Sequence, residues 1–224
     1  MDNMNMVENY DNNKIFAKIF LWMFIGLLVT FGVGYYVSSN EIMVENIHKN
    51  STFLIIAIVE IVLCIVLSAR IRKMNPLVAK TLYLLYAGLT GLTFSVIFII
   101  YELESIMFVF GITSIVCLIF GLIGYYIKID LTKLGTFLFM ALIAVIIASI
   151  INIFIGSDAF NLGICILSLV IFIGYMAYDI QVIKRGMYGN INEENLAIYG
   201  AFQIYLDFIN IFIRLLELFG KRRD

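Results

Sequence analysis

Charge, proline and histidine are scarce in this 224-residue chain. Only 14% of its residues are charged, it has one proline and one histidine, and 62% of it is hydrophobic. A soluble domain is roughly half apolar and a quarter charged, so a water-soluble globule and a disordered chain are both excluded. The net charge of −1 supplies none of the basic field that nucleic acid requires. Cys64, Cys117 and Cys165 stand singly in apolar runs, with no CxxC and no cysteine near His48, so no metal-ligand spacing is present. No Ser–His or Cys–His pairing and no glycine-rich phosphate loop stands out. An intramembrane aspartyl protease would place two aspartates on neighbouring helices, but the glycine-rich motif that accompanies them is missing. Neither an enzyme nor a cofactor is expected.

What is abundant is apolar length. A 30 Å hydrocarbon core takes about 20 apolar residues at 1.5 Å each. Seven stretches qualify, at about 15–37, 52–69, 81–101, 106–126, 135–155, 161–181 and 196–217. The run at 135–155 does not alternate, which argues against a barrel strand. The expected architecture is an all-α membrane protein of seven transmembrane helices, with one domain over 15–220, a short polar tail at 1–14 and a basic tail at 221–224. The opening residues are polar and the run after them exceeds a signal-peptide core, so the first span is expected to act as its own insertion signal.

Lysine and arginine set the orientation. They fall at Lys14 and Lys18, at Arg70, Arg72, Lys73 and Lys80, at Lys128 and Lys133, and at Lys184 and Arg185, whereas the alternate connections hold only Lys49. The N-terminus and these four segments are therefore expected in the cytoplasm. Lys221, Arg222 and Arg223 disagree, since seven crossings leave them outside; either the last segment is re-entrant or the tail breaks the rule.

Ionisable side chains at bilayer depth are rare and usually face the bundle interior or a water-filled path. Glu60 lies near mid-depth in the second span, Asp179 ends the sixth in Gly174-Tyr175-Met176-Ala177-Tyr178-Asp179-Ile180-Gln181, and Asp207 lies within the seventh. The seventh also carries Gln203, Asn210, Arg214 and Glu217, so that with Asp207 the spacings are 4, 3, 4 and 3. That period draws one polar stripe along a helix, which places this helix at the centre of the bundle. As glue, the stripe would hydrogen-bond Asp207 and pair Arg214 with Glu217 or Glu60. As a site, Asp179 and Asp207 would share a poorly solvated space, where two carboxyls cannot both ionise cheaply and titrate as a coupled unit. Ionised, they offer hard oxygens, but Ca²⁺ takes about six to eight, so calcium would bind weakly and transiently. Depth counting leaves Asp207 deeper than Asp179, and contact needs a late start or a tilt of the last helix. Arg70, ending the second span near the level of Asp179, is a candidate latch.

These residues resemble the Bax inhibitor-one family. The likeness is carried by Ala177-Tyr178-Asp179-Ile180-Gln181 and Leu206-Asp207-Phe208-Ile209-Asn210-Ile211-Phe212. Glu60 with the basic cluster after Ser68, Tyr86–Thr93, and Gly135–Met140 also match. The resemblance implies a seven-helix fold with the last helix central. It further implies a pH-sensitive calcium leak controlled by Asp179 and Asp207, with Arg70 or Arg72 as latch. Glu217 stands where some members carry the last helix's arginine, which here is Arg214, one turn earlier. The short tails resemble bacterial members and imply a plasma membrane. The expected partners are the lipid bilayer, calcium ions and protons. Two other functions are consistent with the same residues: a proton-coupled cation exchanger, and a non-transporting regulator that binds other membrane proteins.

Overall fold

Hydrocarbon tolerates only a backbone that closes its own hydrogen bonds, and each long apolar run does so as a helix. The computed structural model describes residues 12–48, 50–185 and 191–223. Among these the order is α1 (Asn12–Ser38), α2 (Glu41–His48), α3 (Asn50–Arg70), α4 (Pro76–Ile100), α5 (Leu103–Tyr126), α6 (Thr132–Ile155), α7 (Asp158–Lys184) and α8 (Glu193–Phe219), with a 3-10 turn at Ile71–Lys73. All but α2 are long and apolar enough to span, seven in number. The short α2 lies within the connection after α1 and gives no apolar signal; Asn40 begins it, its side chain accepting from Met43 N at 3.2 Å. The polar tail expected at 1–14 lies mostly outside the described residues, and its last residues already belong to α1.

The helices run past the hydropathy boundaries because polar caps lie beyond the apolar stretch. Asn75 accepts from Leu77 N ahead of Pro76, Ser157 accepts from Phe160 N, and Asn192 accepts from Glu194 N, each satisfying a donor that an N-terminus leaves open. Gly156, at φ 67°, ends α6 in the left-handed region that favours glycine.

α8 is the axis. It packs against α1, α4, α5 and α7, and 78% of its most apolar stretch is buried, against 6% for α3. Its aromatic rings make the core. Phe202 and Tyr205 meet Tyr83 and Tyr86, and Phe212 meets Phe31 and Phe94; such pairs add about 0.5–1.5 kcal/mol each beyond area. By contrast, α3 leans mainly on α4 and α6 on α7.

The crossing of α8 is complete. Its start is tied by Glu193 to Lys18 of α1 at 2.5 Å and by Glu194 to Lys80 of α4 at 2.7 Å. Its far end leads to a tail docked on the α4–α5 turn. Glu102 N donates to Lys221 O, Arg223 N to Ile100 O, and Lys221 Nζ pairs with Glu102 at 2.7 Å. The re-entrant alternative is thus removed, and the basic tail sits at the end opposite the other basic segments, with Lys221 matched by an acid.

Candidate intramembrane carboxylate site

α7 is drawn tightly against α5. A Cβ on Gly124 would overlap the carbonyl oxygen of Ala177, so only glycine allows the two backbones this approach. Two residues beyond Ala177, Asp179 turns inward. Gln181 then locks the α5–α6 turn, accepting from Leu131 N at 2.9 Å and donating to Ile129 O at 2.8 Å. Asp130 in that turn is exposed and pairs with Arg185 at 3.0 Å. Thr132, donating to it from both hydroxyl and amide, holds its carboxyl below the usual carboxylate range, and Arg185 assists.

Asp179 and Asp207 are both buried, each 5% exposed, and each other's field reaches across between α7 and α8. Gln203 Nε2 donates to Asp179 Oδ2 at 3.5 Å. The depth difference is absorbed at the helix start. Gln203 lies about 15 Å into α8 and Asp179 about 8 Å from the end of α7, so α8 begins about 7 Å, a little over one turn, beyond the end of α7. Asp207 stands one turn above Gln203.

Asp207 Oδ2 and Gln203 Oε1 are buried and find no donor among the described residues; Arg214 Nε, further along the stripe, finds no acceptor. An unmade buried hydrogen bond costs about 1–3 kcal/mol, and such groups call for a reason other than stability. Tyr175 lies within electrostatic range of both carboxylates, and Cys117 within range of Asp207. The sequence reading missed both. Tyr175 was findable, being four residues before Asp179 and so on its helix face; Cys117 on α5 was not.

Apart from the Arg214 Nε, the rest of the stripe is paired. Asn210 Nδ2 donates to Leu206 O of its own helix at 2.7 Å. Arg214 pairs with Glu217 at 2.9 Å, and Asn161 Nδ2 donates to Glu217 Oε1 at 2.8 Å. Of the two acids considered for Arg214, Glu217 is the partner; Glu60 instead accepts from Thr90 at 2.8 Å and Thr93 at 3.3 Å. Arg70 is exposed at the end of α3 and makes no bond to Asp179, whose donor is Gln203. Arg72 lies over the Tyr199 ring at 5.4 Å, on α8. Among the described residues no group of three or more His, Cys, Asp and Glu side chains gathers as a metal centre.

Residues 12–224 match the sequence model of the family described as "Inhibitor of apoptosis-promoting Bax1". The chain belongs to the Bax inhibitor-one family. Inner membrane protein YbhL of Escherichia coli is 39% identical over 213 residues, covering 92% of this chain and 91% of its own. An uncharacterized protein of Borreliella burgdorferi is 40% identical over 217 residues, covering 95% and 94%. An uncharacterized membrane protein of Streptococcus pyogenes is 35% identical over 221 residues, covering 93% of each. This Bax inhibitor-one protein is accordingly an integral membrane protein with bacterial relatives named for the membrane.

Proposed function

We propose that this protein is a pH-sensitive calcium leak of the bacterial plasma membrane, with its N-terminus and basic end in the cytoplasm, gated by protonation of the Asp179–Asp207 pair. The observation that carries the reading is the buried Asp207 oxygen without a donor among the described residues, facing a second buried carboxyl. A carboxylate so placed is expensive at rest and persists where charge comes and goes. Fewer than the oxygens calcium wants are gathered there, which suits passage over storage. Proton and cation compete for the same oxygens, so flux depends on pH. Arg70 acts in a second state, in which the loosely held α3 brings it toward ionised Asp179.

Calcium flux into proteoliposomes tests this. Flux is expected to change across roughly pH 6 to 8, and Asp179→Asn or Asp207→Asn to alter that dependence. Unchanged pH profiles in both variants would remove the reading. An imposed pH gradient that drives calcium uphill would replace the leak with an exchanger using the same carboxylates.

A further inference from the structure

α1 and α5 touch through two ring pairs, Phe16 on Tyr125 at 5.3 Å and Phe31 on Phe110 at 5.0 Å. Between them lies about 22 Å of α1, along which the helices part around a cavity of about 730 Å³. Phe20, Phe24, Leu118 and Leu122 line it and are exposed, so the groove opens sideways to lipid. Its floor includes Ile180 and Phe208, the immediate neighbours of Asp179 and Asp207. At the basic end, Lys184 Nζ donates to Tyr125 O at 2.6 Å and stands over the Tyr125 and Tyr126 rings at 4.0 and 5.9 Å. No carboxylate pairs with Lys184 among the described residues.

We propose that this groove binds one acyl chain of an anionic phospholipid of the surrounding bilayer, with the lipid phosphate at Lys184. The site lies in hydrocarbon and is walled by apolar side chains, so its occupant is apolar along its length. A helix with side chains is about 10 Å across, and the two ring pairs hold α1 and α5 too close together for one to lie between them along the groove; a single chain fits. The Lys184 ammonium stands beside Tyr125 and Tyr126, which line the groove, and complements an anionic phosphate. The bound chain completes the apolar wall behind the aspartates. None of this depends on calcium being the ion that passes.

The test is native mass spectrometry of the full chain taken from bilayers of equal phosphatidylglycerol and phosphatidylcholine. Wild-type protein is expected to retain phosphatidylglycerol in preference. Lys184→Gln lowers that preference about fivefold. At Gly121 a Cβ would meet only Ile180 Cγ1 at 3.8 Å; Gly121→Leu therefore fills the groove and lowers retention of both lipids about fivefold or more. Gly111→Leu, with open space around its Cβ on the same helix, changes nothing. Equal retention in wild type and Gly121→Leu overturns the site, and unchanged preference in Lys184→Gln overturns the headgroup assignment. A lipid-free pair of chains, lost in Gly121→Leu, would assign the groove to a second copy instead.

Discussion

Glu60 and Asp207 are both carboxyls at bilayer depth, where a charged residue costs about 2.5–3.5 kcal/mol to insert, yet they are supported differently. Glu60 sits on the peripheral α3 and receives two hydroxyls from α4, Thr90 and Thr93. Thr90 also interacts with Tyr205, whose hydroxyl meets Thr30 at 2.6 Å in the core. Asp207 sits on the central α8 and has a buried oxygen with no donor among the described residues, opposite another acid. One acid is bound into the packing; the other is left open. A carboxylate's position in the membrane therefore says less about its role than the donors around it do.

The largest effect expected is on pH response. Asp207→Asn should flatten the pH dependence of calcium flux, whereas Glu60→Gln should leave it in place while the protein still folds; a pH profile abolished by the Glu60 change alone would erase the distinction drawn here. Next is the approach that carries Asp179 inward. Gly124→Leu forces α5 and α7 apart and is expected to lower unfolding free energy by about 3 kcal/mol, read from denaturant unfolding in detergent. A smaller pair of changes should differ in sign. Asp207→Leu removes an unsatisfied group and stabilises by about 1–3 kcal/mol, while Glu60→Leu takes away the carboxylate acceptor of Thr90 and destabilises by about 1 kcal/mol. Thermal midpoints that move in the same direction would show that both acids are structural, or that neither is.

The smallest effect lies outside the membrane. Asp130, held below the usual carboxylate range by Thr132 and Arg185, contributes stability that is present above its unfolded value and lost as pH falls through its lowered folded one. Asp130→Asn should remove that acid-side slope from the unfolding profile of the α5–α6 turn, measured by hydrogen exchange, by lowering protection slightly at neutral pH and leaving it unchanged in acid, where Asp130 is already protonated.

Much of the fold was legible. The seven spans followed from run length, and the central place of α8 followed from its polar stripe, because a helix with polar groups at 3.6-residue spacing must be surrounded by protein in a bilayer. The two aspartates stood out for the same reason. The helix ends were less legible, since Asn75, Ser157 and Asn192 act as caps through geometry that hydropathy does not register. The α2 helix and the docking of Lys221 on Glu102 were not legible either. Arg214 had two acids within reach of the pattern; it pairs with Glu217 on its own helix, while Glu60 is held by Thr90 and Thr93 of α4. Arg70 lies at the right depth for Asp179, but depth does not determine which side of a helix faces inward.

The apolar runs and the spacing of polar residues along them were enough, by themselves, to determine that this chain spans a membrane seven times around its last helix. Water is absent from the bilayer core, and backbone and charge must be hidden wherever they occur. Which acids were satisfied, where α1 and α5 part, and how closely Gly124 lets α7 approach were decided only by the packed bundle. Each of these depends on the atoms a neighbouring helix places opposite, and that is a relation between segments far apart in the chain.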